Sequence, residues 1–231
     1  MLDQAFDALK TYDWGVEPNV LQPIDEAIIA THADPAARKD LETRLIEVLK
    51  TEVPRAAKDA VCRALKTIGT VASVPALAAL LADEKLSHMA RYALERITAP
   101  EAAQAMREAL PKVAAKLKIG IISSLGVHGD AASVTPLQAL LADSDAAVAA
   151  AAAHALGDIG SLDAAKALVT AKPSAGTKAA IADASLDCAE NLIATGKKPA
   201  AKITYEKLLA STPSKQVQFA ATLGVKACAD K

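Results

Sequence analysis

VTPLQALLADSDAAVAAAAAHALGDIGSLDAAKALV, residues 134–169, is the stretch whose reading decides the fold. Its first apolar run is Leu137, Leu140 and Leu141, stopped by Asp143-Ser144-Asp145. A second run follows at Val148, Ala152, Ala155, Leu156 and Ile159, stopped by Gly160. Steps of three and four residues are helical spacing, where a strand would alternate by two. Two short helices joined by a tight turn make one αα-hairpin, and such a hairpin cannot bury its apolar face alone. Other parts of the chain must supply copies to stack against it.

Those copies are present. The core ALGDIG, starting at Ala155, has relatives starting at Ala64 (ALKTIG), Ala93 (ALERIT), Ser124 (SLGVHG), Asn191 (NLIATG) and Thr222 (TLGVKA). Successive starts lie 29, 31, 31, 36 and 31 residues apart. A second marker agrees: LLAD occurs at Leu80 and again at Leu140, two periods later. A period near 30 with two helices per unit predicts an α-solenoid, stabilised unit against unit.

The pattern L-x-x-L-L-x-D-x-D-x-x-V followed by A-x-x-A-L-G-x-I-G resembles the HEAT repeat, of the bacterial kind related to phycobilin-lyase repeats, over Pro54 to Asp230. The resemblance implies an all-α fold, a right-handed α-α superhelix of about six to seven stacked hairpins. It would be one domain over residues 1–231, with atypical cap helices at 1–53, regular repeats at 54–173 and looser repeats at 174–231. The function it implies is a non-catalytic protein–protein interaction or scaffold module, not an enzyme, that uses the concave surface of its second helices to hold a protein or peptide. Many such repeats carry Arg just after the Val; here that position is Ala149, with Lys58 and Lys118 in two other units, so the basic ladder is thin. The wording from Cys62 to Ile97 also resembles repeat regions of large exported multidomain bacterial proteins. That implies an alternative, an accessory domain of a larger exported enzyme or cytochrome-type protein. A small-molecule lyase is a further alternative, although the repeat alone does not carry that activity.

Composition narrows the partners. Lys plus Arg number 26 against 27 Asp plus Glu, a net charge of −1, which argues against a dedicated nucleic-acid binder. The hydrophobic content is mostly Ala and Leu, and small side chains let helices approach closely. Cys62, Cys188 and Cys228 are odd in number and match no metal spacing; Cys188 falls where another repeat has Ala152, so it reads as a small core residue. The start Met1-Leu2-Asp3-Gln4 has neither the basic nor the apolar part of a secretory signal. The apolar run from Ala146 to Gly157 is short of the roughly 20 residues that span a bilayer, so a soluble chain is expected.

Helices are expected at Leu2–Thr11, Val20–Thr31, Ala36–Lys50, from Pro54 to Ile68, and then in alternation through the repeats. Asp34 is the expected N-cap of the third, with Pro35 at its first position. Phe6, Tyr12 and Trp14 read as a cap over the first hydrophobic layer or, more sharply, as a Trp-based ligand site. After Pro173 the pattern loosens: Ser174-Ala175-Gly176 is a loop signal, and there the period lengthens to 36. Thr212-Pro213 opens a last helix whose Val217, Ala220, Ala221 and Val225 are expected to pack on further chain or on a second copy.

Chemistry-bearing residues are sparse. None of His32, His88, His128 and His154 is followed by Glu, so the His-Glu pairs of iron-binding HEAT-repeat hydroxylases are absent. Register places His128 in a turn and His154 beside the core alanines. Asp143, Asp145 and Asp163 lie at turns or helix starts, where capping and the helix dipole account for them. Gly126, Gly129, Gly157 and Gly160 recur at equivalent places, where a small residue permits close helix packing or a left-handed helix end. Arg107, Lys112, Lys116 and Lys118 form a basic cluster that reads as a solvated face or an anionic contact patch. Trp14, alone at the terminus, does not make the basic concave site of a HEAT-like DNA glycosylase. No catalytic, cofactor-binding or metal-ligating residue is assigned, and no cofactor is expected.

Overall fold

The computed structural model describes residues 1–212 and 214–229, and among them are fourteen α-helices and no strand. Pro213, expected to open the last helix, and Asp230, the end of the repeat resemblance, lie outside the described residues. The chain divides into two compact units, Met1–Val113 and Ala114–Lys231.

Unit 1 contains α1 (Leu2–Leu9), α2 (Gln22–Ala30), α3 (Pro35–Leu49), α4 (Arg55–Ile68), α5 (Val74–Ala78), α6 (Ser87–Leu94) and α7 (Pro100–Ala109). Here α2, α4 and α6 stack in one layer, and α3, α5 and α7 in the other. The caps follow the chemistry expected of them. Asp34 accepts the Ala36 and Ala37 amides at 3.1 and 3.0 Å, with Pro35 in the first turn. Pro111 lacks an amide to continue α7, and the chain tightens into a 3-10 turn at Leu110–Lys112. The first helix packs on α2, burying Ala5 and Leu9. Arg44 of α3 reaches it, lying 4.0 Å from the Phe6 ring centroid and 2.7 Å from the Asp3 carboxylate.

Unit 2 contains α8 (Ala115–His128), α9 (Val134–Leu140), α10 (Ala146–Ile159), α11 (Leu162–Thr170), α12 (Lys178–Ala194), α13 (Lys198–Ser211) and α14 (Lys215–Ala229). The stretch at 134–169 is indeed a hairpin, with its first run on α9, its second on α10, and α10 flanked by α8 and α12. Asp145 caps α10 through the Ala147 and Val148 amides, and Val148, Ala152 and Leu156 are fully buried. Burial of a leucine such as Leu156 stabilises by about 2 kcal/mol. The paired glycines divide the two roles expected of them. Gly126 and Gly157 sit where α8, α10 and α12 approach closely: a methyl on Gly157 would fall 2.9 Å from the Ala184 carbonyl oxygen. Gly129 and Gly160 end their helices at φ +70° and +58°, the left-handed conformation.

The last helix corrects an expectation. Val217 and Ala221 are buried, with Gly224, in a stripe that packs on α12 and α13. Ala220 and Val225 flank that stripe and are half-buried. The apolar side chains left in water are Phe219 and Leu223, 68% and 49% exposed, on the opposite side of the helix. The expected face is the one that turns inward; its partner is supplied by α12 and α13 of the same chain, and Gly224 lets the helix close on the Tyr205 ring. No described helix is long and apolar enough to cross a membrane.

Candidate functional site

The residues with ordinary catalytic chemistry do not converge. His32, His88 and His154 are exposed, and His128 is half-buried at the end of α8. His154 is exposed between the buried Ala153 and Ala155. His88 stacks on Tyr92 with centroids 6.5 Å apart, and the Lys66 ammonium lies 3.8 Å from the centre of the Tyr92 ring. Among the described residues, no three His, Cys, Asp or Glu side chains come together as metal ligands would. Asp143 accepts the Asp145 amide and faces Lys118 at 3.9 Å; Asp163 lies in the first turn of α11, whose cap is Ser161. Trp14 is 61% exposed, while Tyr12 lines a cleft of about 400 Å³ with Asp25 and Arg63 at α1, α2 and α4.

Burial perturbs Cys62, Cys188, Asp59 and Tyr205, the last pushed up to about 12. Burial pushes the Cys62 thiol up to about 12, aided by the nearby Asp59 charge, and the Cys188 thiol up to about 11, aided by Asp187. Cys188 is thus the core residue its repeat position implies. Asp59 is 4% exposed on α4, and burial raises its carboxyl above the usual range against the opposing pull of Arg55, Arg63 and His88. Its Oδ1 has no hydrogen-bond partner, and Arg55 Nε stands 3.8 Å from Oδ2. Glu42, also 3% exposed, is fully satisfied: it accepts from the Thr70 amide at 2.6 Å, the Thr70 hydroxyl at 3.0 Å and the Ser73 hydroxyl at 2.6 Å. It ties α3 to the turn before α5, one repeat along. Sequence reading missed it, although the 31-residue separation of Glu42 and Ser73 matches the period.

The arrangement best suited to hold a ligand lies where the period breaks. Between α11 and α12 the chain runs through Ala171, Pro173 and the Ser174–Thr177 turn, where Ser174 and Thr177 are joined by their own amide and hydroxyl hydrogen bonds. Thr177 is spent on that turn and does not cap α12. The extra residues part the end of α11 from the end of α13 and leave a cleft of about 220 Å³. Its floor is Leu168, Ile181, Ala182 and Leu208, all buried, and its rim carries Lys178, Lys207, Ser211 and Thr212. None of the lining residues is acidic. Lys178 opens α12 and Lys207 lies just before the last turn of α13; the antiparallel hairpin brings these two ends together. The loop signal at Pro173 and the 36-residue offset mark this place in the sequence. The lysine pair is invisible there, because 28 residues separate its members.

Comparison with known proteins agrees with this architecture. Residues 112–185 match the HEAT repeats family. No curated protein matches the chain. Among solved structures, that of human deoxyhypusine hydroxylase in complex with glycerol is similar at 13% identity and a TM-score of 0.36, covering 100% of this chain and 96% of that one. The expectations of a non-catalytic interaction or scaffold module, and of no enzyme, are corrected by this finding. A fold does not by itself fix function, so the repeats give no ground for excluding catalysis. The likeness is one of fold, and none of that protein's chemistry is carried over to this chain.

Proposed function

We propose that this HEAT-repeat protein binds a protein or peptide segment, and that the cleft beside residues 171–177 is where the segment seats. The observation that carries this reading is the cleft itself: an apolar floor open to solvent beneath two lysines, set where the repeat period lengthens. HEAT repeats commonly mediate protein interactions, and the match at residues 112–185 reaches α12, one wall of the cleft. Exposing Leu168, Ile181 and Leu208 to a ligand's side chain offers about 25 cal/mol for each Å² of apolar surface withdrawn from water. Recognition of this kind serves an enzyme that must hold a protein substrate as readily as it serves assembly.

The test is binding of a synthetic library of random heptapeptides to the full chain and to an Ala210→Trp variant. Ala210 is exposed on the rim, so the indole fills the cleft without entering the core. The expected result is a set of peptides that bind the native chain and lose about tenfold or more on the variant, with its helical circular dichroism and melting temperature unchanged. Peptides that bind both proteins alike would place the site elsewhere.

A further inference from the structure

We infer that the cleft in unit 2 reads the free C-terminus of its ligand: the terminal carboxylate lies between Lys178 and Lys207, and an apolar last side chain fills the floor. The inference rests on the peptide-binding reading above and adds to it which part of the peptide is recognised.

Three observations carry it. The first is charge. Two ammonium groups stand at the rim of a cleft with no acidic lining residue, and neither is ion-paired within the described chain. The nearest carboxylate in sequence to Lys207 is that of Glu206, which faces Lys202 at 3.8 Å instead. The site therefore favours an anion supplied from outside, and a carboxylate held by charged donors makes hydrogen bonds stronger than neutral ones. The second is size. About 220 Å³ is the share of about seven water molecules, below the range of drug-sized sites, and it suits one residue. The third is the closeness of unlike surfaces. Buried Leu168, Ile181 and Leu208 lie in the same small recess as the lysines, so the occupant must carry its charge and its apolar group together. Within a peptide, a C-terminal Leu, Ile, Val or Phe does this on one residue, its carboxylate and side chain sharing the α-carbon. An internal Asp or Glu spends its side chain on the charge and leaves the floor unfilled.

The experiment prepares the random heptapeptide library in two forms, free carboxylate and C-terminal amide, and measures both on the native chain by fluorescence anisotropy. Arms with Lys178→Gln/Lys207→Gln and with Ala210→Trp run alongside. The expected result is that free-acid binders end in an apolar residue and weaken at least tenfold as their amides. The lysine double variant, altered only at exposed positions, should bind acid and amide alike, and the acid's advantage should shrink as salt rises. If acid and amide bind equally and both are lost on Ala210→Trp, a peptide site stands and C-terminal recognition is overturned. If internal Asp or Glu peptides are selected regardless of the terminus, the inference also fails. If no peptide of either form binds the native chain, the peptide-binding reading itself falls.

Discussion

Replacing Gly160 with Ala separates two effects that glycine carries at the end of a repeat helix, because Gly129 supplies a matched control. Both residues end their helix in the left-handed conformation, at φ +58° and +70°. Forcing an L side chain into that conformation costs about 1–2 kcal/mol at either site. What surrounds them differs. A methyl on Gly129 meets nothing within 4 Å, whereas on Gly160 it falls 2.5 Å from Asn191 Cβ and 3.1 Å from Asn191 Cγ. Asn191 cannot step aside cheaply: its amide nitrogen donates to the Gly157 carbonyl at 3.0 Å, fastening α12 to α10. Overpacking of this kind adds about 1–3 kcal/mol. Gly129→Ala should therefore lose about 1–2 kcal/mol and Gly160→Ala about 2–5 kcal/mol. Urea titration followed by circular dichroism measures both, with the slope watched for loss of cooperativity. A double-mutant cycle with Asn191→Gly, which removes the atom struck, should return a coupling of about 1–3 kcal/mol. Equal losses for the two alanine variants, or no coupling in the cycle, would refute the idea that contact between neighbouring repeats fixes glycine at position 160.

Glu42→Ala orphans the buried Ser73 hydroxyl and the Thr70 amide, so it should cost about 3 kcal/mol, with Glu42→Gln losing less because one acceptor oxygen remains; thermal melts decide this. The Asp59 carboxyl is raised by burial, so the folded state holds its proton to higher pH than the unfolded chain. Its contribution to stability should then be lost as pH rises from its ordinary value near 3.8 through the raised one. Asp59→Asn should match the native chain near pH 4 and exceed it at pH 7, as read from melting temperatures across that window; a lower melting temperature for the variant at pH 7 would contradict the sign. Gly224→Ala, which elsewhere in a helix would add stability, should drive α14 off the Tyr205 ring and speed amide exchange in α14 while α10 stays protected.

Much of the architecture was legible because a solenoid writes itself in one dimension. Each unit repeats the same apolar steps, so the ALGDIG core locates α4, α6, α8, α10, α12 and α14, and Asp34, Asp145 and Gly160 mark helix ends by their own chemistry. What could not be read was partnership. The packing face of the last helix, Val217 and Ala221, was legible, but not that α12 and α13 cover it. The buried pairing of Glu42 with Ser73, and the meeting of Lys178 with Lys207, depend on which surfaces face each other after stacking. The site was marked only by a defect, the lengthened offset after Gly160. From the repeats alone, an absence of catalysis does not follow.

The different surroundings of the three thiols make the chain unusually easy to instrument. With Cys62 and Cys188 enclosed and held as neutral thiols at ordinary pH, maleimide reagents should find Cys228 first. A single dye could thus be mounted on α14 without editing any cysteine, giving a native reporter on the helix packed against α13, which forms one wall of the cleft.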